Sequence, residues 1–432
     1  MNLDLRIPLE TLHQLLDRVD IPPMARISYH LPSATQIDDV AQAVSQRIDQ
    51  SGVLRETPAG GRVAVAVGSR GIDRLAEIVA AVVAELRSAG ADPFVVPSMG
   101  SHGGATAAGQ TEVLRRLGVT PESVGAPIES SMETVVLGTT PDGSPVYLDK
   151  VASEAAGIVL IARVKPHTAF RGPIESGMAK MIAIGLGKQS GAAATHAQGF
   201  GEMARVVPQM AEVSLRNAPF WFSVAILENA HDRVFKIAIV RANQTLAEEP
   251  LLLEQARKAM PRLAFQQLDV LVIDEIGKNI SGDGADPNIT GRYPTPFASG
   301  GPNATRHVIL RLAAASSGNA NGMGTADFTT IRFAREVDLG ATYANALTST
   351  VPGPVKLPMV LPSDRLAFAA AILTCHAIGR PPRILRIKNT LELGEFSVSA
   401  ALMSEVEADP NQHIAVRLEP VAFDEEGNLQ GL

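Results

Sequence analysis

Arg62-Val63-Ala64-Val65-Ala66-Val67-Gly68 decides the fold. The run is apolar throughout, rich in β-branched valine and closed by a glycine, so it is too short for a helix and suits a strand buried on both faces. Leu75–Ala89 then shows helical periodicity, and Gly90 is a natural stop. Pro93-Phe94-Val95-Val96-Pro97 reads as a second strand, followed by a glycine-rich turn and a helix to Leu117. Gly157-Ile158-Val159-Leu160-Ile161-Ala162 is a third strand that runs into a polar loop. Strands alternating with helices imply a parallel sheet, with ligands beyond the carboxyl ends of its strands.

Before this series, a strand or loop and then a helix around Ile37–Asp49 are expected. A second series begins at Leu268-Asp269-Val270-Leu271-Val272-Ile273. Further strands are expected at His307–Leu312, Val355–Leu361, Ile384–Ile387 and His413–Leu418, with helices near Ala341–Thr348, Arg365–Ala377 and Glu395–Ala408. Pro261 interrupts a helical pattern and marks the boundary within Lys258–Gln267. The expected fold class is α/β: two α/β domains with largely parallel sheets and an active-site cleft between them. The first covers residues 1–265, the second 266–432, with a tail able to return to the N-terminal domain.

With 432 residues, 46% hydrophobic and 19% charged, the chain has material for two cores. Net charge is −7, and no Lys/Arg block suits a phosphate backbone, which argues against a nucleic-acid partner. Cys375 is the only cysteine, so neither an internal disulfide nor a multi-thiolate metal site is available. The opening residues Met1–Arg6 lack the basic and apolar regions of a signal peptide, and apolar runs such as Ile78–Ala84 fall short of a membrane helix. A cytoplasmic protein with no membrane partner is expected.

Four stretches place reactive side chains after expected strands. In Val67-Gly68-Ser69-Arg70-Gly71, Ser69 can donate to an oxyanion and Arg70 offers a permanent bidentate cation. An ordinary turn with a solvated arginine is an equal alternative. In Ser98-Met99-Gly100-Ser101-His102-Gly103-Gly104, glycines on both sides let the backbone approach a ligand and present an imidazole suited to reversible proton transfer. A structural loop histidine is the plainer alternative.

Arg163-Val164-Lys165-Pro166-His167-Thr168-Ala169-Phe170-Arg171-Gly172 gathers three cations and a histidine. Such a mouth in an acidic protein attracts a small carboxylate. The fourth stretch, Ser176–Gly187, carries Lys180 within an apolar, glycine-punctuated run, followed by His196. A partly desolvated amine is a nucleophile or covalent anchor, and a snorkelling lysine is the alternative.

In order and spacing these stretches resemble the nickel-dependent lactate racemase family. Gly68-Ser69-Arg70 stands where that family has an Asp-Gly-Thr-Arg turn, with Val67 replacing the aspartate. Gly100-Ser101-His102 and Pro166-His167 match its two catalytic-histidine motifs, Lys180 its cofactor-bearing lysine, and His196 its nickel-ligating histidine. Ala179, Ile184 and Thr195 depart from that family's arginine, proline and asparagine, which suggests a divergent member with its own substrate.

The resemblance implies a racemase or epimerase that inverts C2 of a small 2-hydroxy acid, lactate-like or a sugar acid, by reversible hydride transfer to a nickel-pincer nucleotide. It implies His102 and His167 as catalytic, Lys180, Ser69 and Arg70 as cofactor-binding, and His196 as the metal ligand. Arg70, Arg163 and Lys165 would hold the substrate carboxylate. Lys278 and Asn279, which follow the strand Val270–Asp274, would contribute from the polar loop 277–292. Proteins that build the pincer nucleotide are the implied maturation partners. Two other classes stay open: a cofactor-free carboxylate-binding module, and a zinc-dependent hydrolase or dehydratase using the same histidines.

Overall fold

The computed structural model describes residues 9–57 and 60–431. The chain divides into two compact units, Ser33–Met260 and a second made of Met1–Pro32 with Pro261–Leu432.

The unit Ser33–Met260 is built on a five-stranded sheet in the order Asp92–Pro97, Arg62–Val67, Gly157–Arg163, Phe220–Glu228, Val234–Arg241. The first four are parallel and the last is antiparallel to its neighbour. Pro93 and Pro97 sit on the edge strand, where a missing N–H is tolerated. Register pairs Val67 with Pro97 on one side and with Ile161 on the other. The turns after these three strands therefore leave the same edge of the sheet.

Alternation along Arg62–Val67 sorts the core into two layers. Val63, Val65 and Val67 pack with Val44 and Ile48 of helix Val40–Ser51 and with Ile78 and Val82 of helix Leu75–Ser88. Ala64 and Ala66 face the opposite layer, which contains Ala179, Ile182, Leu186, Met203 and Val207. Small side chains at 64 and 66 let the segment around Lys180 lie close to the sheet. A hairpin, Thr134–Thr139 with Pro145–Asp149, completes the unit.

The other unit holds an eight-stranded sheet in the order Met359–Leu361, Phe328–Thr330, Asn303–Leu312, Gln267–Ile276, Ile384–Ile387, Glu395–Ser399, Met24–Tyr29, Gln412–Glu419. The first five strands run parallel and the last three pair antiparallel. Among the described residues no helix is long and apolar enough to cross a membrane.

The fold is α/β with largely parallel sheets, as expected, but several boundaries differ. Residues 395–399 form a strand rather than the start of a helix. Glu395-Phe396-Ser397-Val398-Ser399 alternates with period two, buries Phe396 and Val398, and bonds to strands on both sides. Of that region Ala400–Leu402 forms a 3-10 turn and Met403–Ala408 an α-helix. Pro354 and Pro358 restrict the expected strand Val355–Leu361 to Met359–Leu361.

The first-domain assignment of residues 1–265 is also corrected at both ends. Strand Met24–Tyr29 is hydrogen-bonded between Glu395–Ser399 and Gln412–Glu419, which ties the opening residues to the later unit. The tail stays with that unit as well, where Leu429 N–H donates to Asp364 at 2.9 Å.

Candidate active site

Three strand ends of the unit Ser33–Met260 supply the candidate residues. After Val67, a Cβ on Gly68 would lie 3.8 Å from the Met181 side chain and 3.9 Å from the Ser98 carbonyl oxygen. The backbone thus passes close to the turn that follows Lys180. Ser69 is half-buried and Arg70 exposed at this end.

At the next strand end Ser98 N–H donates to Val67 O at 2.7 Å, and the Ser98 hydroxyl donates to Met181 O at 3.3 Å. Gly100 has φ 58°, and its N–H donates to Gly185 O at 3.0 Å. This loop is therefore laced to the segment Met181–Gly185, a single π-helical turn. His102 is exposed, and its Nδ1 lies 2.8 Å from Met99 O. A carbonyl only accepts, so Nδ1 carries the ring proton and Nε2 keeps its lone pair in the neutral ring.

The third loop is closed by a carboxylate absent from the expected site. Buried Glu175 accepts from His167 N–H at 2.7 Å and Gly172 N–H at 3.0 Å, and pairs with Arg257 at 2.5 Å and Arg171 at 3.5 Å. Lys165 forms a two-residue antiparallel bridge with Ser176, which folds the loop back on itself. The His167 ring packs on Phe170 with centroids 4.5 Å apart.

His167 and Lys180 meet directly, Nε2 to Nζ at 2.7 Å. Ala169 N–H donates to His167 Nδ1 at 3.0 Å. With Nδ1 accepting, the neutral ring holds its proton on Nε2 and donates it to the lone pair of the Lys180 nitrogen. Lys180 then stands as an amine with nucleophilic character. Burial first, then the Lys165 and Arg171 charges, hold His167 well below the usual imidazole range.

His196 closes helix Lys188–His196, its ring stacked on Phe200 at 5.9 Å. Burial pushes His196 down to about 4. It is therefore neutral near pH 7, the state a metal ligand requires. Lys180 sits at the end of the short helix Met178–Lys180, whose start is fixed by Glu249. The Glu249 carboxylate accepts from Ala179 N–H at 2.8 Å and occupies the space a Cβ on Gly177 would need, 2.3 Å away. Burial raises Glu249 to about 7, against the lowering effect of the Ala179 and Met178 amides.

The structure thus brings His167, Lys180 and His196 together, with the His102 loop hydrogen-bonded to the segment after Lys180 and the Ser69 turn passing beside it. Arg163 is a correction. Its guanidinium is ion-paired with Glu228, which also accepts from Asp73 N–H at 2.7 Å, so its charge is already balanced within the fold. Lys278 and Asn279 belong to the other unit. Lys278 Nζ donates to Gly282 O at 2.6 Å, and Asn279 is exposed. The polar loop there is a closed turn, with Gly277 N–H on Gly284 O at 2.9 Å and Asn321 donating to Gly282 O at 3.0 Å.

Among the described residues no group of three His, Cys, Asp or Glu side chains is placed to hold a metal ion. That is a poor match to zinc held by His102, His167 and His196.

Residues 17–206, just under half the chain, match the family model of the lactate racemase N-terminal domain. No curated protein matches the chain. In three dimensions the chain is similar to the lactate racemase apoprotein from Thermoanaerobacterium thermosaccharolyticum, with TM-score 0.51 and 12% identity, covering 85% of this chain and 99% of that one. At such identity the likeness is one of fold. A protein from Thermotoga maritima is similar over 65% of this chain and 72% of its own, with TM-score 0.47 and 13% identity.

Proposed function

We propose that this lactate racemase-like chain is an isomerase that inverts C2 of a small 2-hydroxy acid, with a nickel-pincer nucleotide as its resident cofactor. The observation that carries the reading is the meeting of a hydrogen-bond-accepting lysine amine with two neutral imidazoles on one strand-end cluster, His167 Nε2 lying 2.7 Å from Lys180 Nζ. The donor set suits that group. His196 offers one neutral nitrogen, Lys180 offers an amine for attachment, and no second protein ligand set competes among the described residues. A metal held here would take its other donors from a non-protein group, in the planar arrangement nickel favours. Lys180 and His196 would hold the nucleotide, Ser69 and Arg70 would meet its phosphate, and once bound it supplies a hydride acceptor.

The chain's own residues do the remaining work. His102, with its proton fixed on Nδ1, uses the Nε2 lone pair to take the proton from the substrate hydroxyl. His167 exchanges the same proton from the opposite face once Lys180 is engaged elsewhere. Two imidazoles used in turn let the reaction run in both directions. Lys165, with Arg70, attracts the substrate carboxylate. The protein is proposed to work in the cytoplasm, after maturation by the proteins that make the nucleotide.

The test is co-expression with those biosynthetic proteins, intact mass of the product, and chiral analysis of single-enantiomer 2-hydroxy acids. Inversion of at least one acid by nucleotide-loaded protein is expected. Loaded protein that inverts none of a broad panel would overturn the activity.

A further inference from the structure

Beneath the His102 loop lies a polar network that the reaction as described does not use. Lys188 is completely buried and adopts φ 55°, a left-handed conformation that non-glycine residues rarely take. Its ammonium donates to Pro97 O at 2.6 Å and Gln110 Oε1 at 3.0 Å, and pairs with buried Asp149 at 2.9 Å. Two of its donors are hydrogen-bonded and its charge is balanced by the Asp149 carboxylate. Because Gln110 Oε1 accepts from that ammonium, the amide orientation is fixed and Nε2 faces the loop. Nε2 donates to Gly100 O at 2.8 Å and approaches His102 O at 3.4 Å.

Carbonyls 97, 100 and 102 are therefore turned toward buried donors, and carbonyl 99 is the one presented to His102 Nδ1. The far side of the loop is equally constrained. A Cβ on Gly103 would lie 2.5 Å from the Gly109 carbonyl carbon, and one on Gly109 would lie 1.8 Å from Gly103 O. Helix Ala107–Arg116, which carries Gln110, can approach the loop only because both positions are glycine.

A buried ion pair is a poor device for stability alone, since an apolar side chain of similar size packs without losing hydration. This pair grips the backbone of the loop that presents an imidazole. We propose that Lys188 and Gln110 are positioning residues for His102, holding its loop so that Met99 O fixes the proton on Nδ1 and makes Nε2 the accepting nitrogen of the ring. The importance of that tautomer rests on the reading of His102 as the base for the substrate hydroxyl. The positioning itself does not.

The test is the tautomer of His102, read by long-range proton–nitrogen correlation in nitrogen-15-histidine-labelled protein without cofactor, at a pH where the ring is neutral. An unconstrained imidazole favours the proton on Nε2, so the wild-type signal should show the reverse. Gln110→Met and Gln110→Glu both remove the donors to the loop, yet only Glu keeps a partner for Lys188. Both variants should shift His102 to a mixture dominated by the Nε2–H form, while His167 and His196 signals stay in place. In nucleotide-loaded protein kcat should fall at least tenfold with KM little changed.

Wild-type His102 with its proton on Nε2 would overturn the proposal, even if neither variant folds. So would retention of the Nδ1–H form in either folded variant. A tautomer that shifts as expected in a protein inverting no hydroxy acid would leave the positioning intact and overturn the functional reading instead.

Discussion

The two histidine loops sit at neighbouring ends of one parallel sheet, yet they are held by opposite means. The loop 98–104 is gripped from below by a buried cation and amide, and His102 is exposed with its proton on Nδ1. The loop 164–172 is gripped by a buried carboxylate, and His167 is half-buried with its proton on Nε2, directed at Lys180. Similar Gly/Pro-flanked histidine motifs thus present two different imidazole tautomers. The surrounding charges decide which nitrogen is available and whether water reaches it.

Replacement of the exposed base should have the largest effect. His102→Ala should lower turnover of nucleotide-loaded protein by about 10²–10⁴-fold, the usual worth of a general base, while bound nickel stays at the wild-type level. His196→Ala should lose the metal and, with it, turnover. Metal analysis beside steady-state rates separates the two, and normal nickel content in His196→Ala would contradict the ligand assignment.

The carboxylate grip of the second loop comes next. Glu175→Ala leaves Arg171 and Arg257 without their shared anion and strips acceptors from two amides, so it should destabilise the protein by about 3–5 kcal/mol in denaturant unfolding. A loss under about 1 kcal/mol would mean that the loop is held by other contacts.

Glu249 gives a smaller effect that depends on pH. Its folded pKa is raised from 4.5 to about 7 by burial, so between those values the unfolded chain has lost the proton and the folded chain keeps it. This contribution to stability is present in full at low pH and is lost as pH rises from about 4.5 to about 7. Glu249→Gln should remove it, leaving a wild-type-minus-variant difference in unfolding free energy that falls by up to about 3 kcal/mol across that window. His196, lowered to about 4, acts in the opposite sense by losing stability as pH falls, which is why the difference and not the wild-type curve is diagnostic. A flat difference would place the Glu249 carboxyl in a more solvated setting.

Paired substitutions at 163 and 165 should show the smallest change. Arg163→Met breaks the pair with Glu228 and should alter stability with little effect on KM, whereas Lys165→Met should raise KM several-fold. Equal effects on KM would return Arg163 to the substrate site.

Legibility from sequence followed the range of the interactions. Strands 62–67 and 157–163 and the turns after them were readable because apolar runs closed by glycine or a polar switch are local signals. The candidacy of His167, Lys180 and His196 follows from motif order, but the direct contact of His167 with Lys180 does not. The buried polar partners do not follow either, since Glu228, Glu249, Asp149 and Gln110 reach the site across 39 to 78 residues of chain. Helical periodicity was taken through Glu395–Ser399 because Ala400–Ala408 does wind, and only pairing with strands on both sides identifies the strand. A strand or loop is expected before Ile37, but the sheet that Met24–Tyr29 joins is not readable, its partners lying near residues 397 and 415.

The most direct test of the central claim uses an enantiomerically pure 2-hydroxy acid deuterated at C2, given to nucleotide-loaded protein in ordinary water. Inverted product that keeps its deuterium is predicted, because the hydrogen leaves and returns within the site while only the hydroxyl proton passes through the histidines. Inverted product with that label washed out into water would show proton abstraction at carbon and contradict the account.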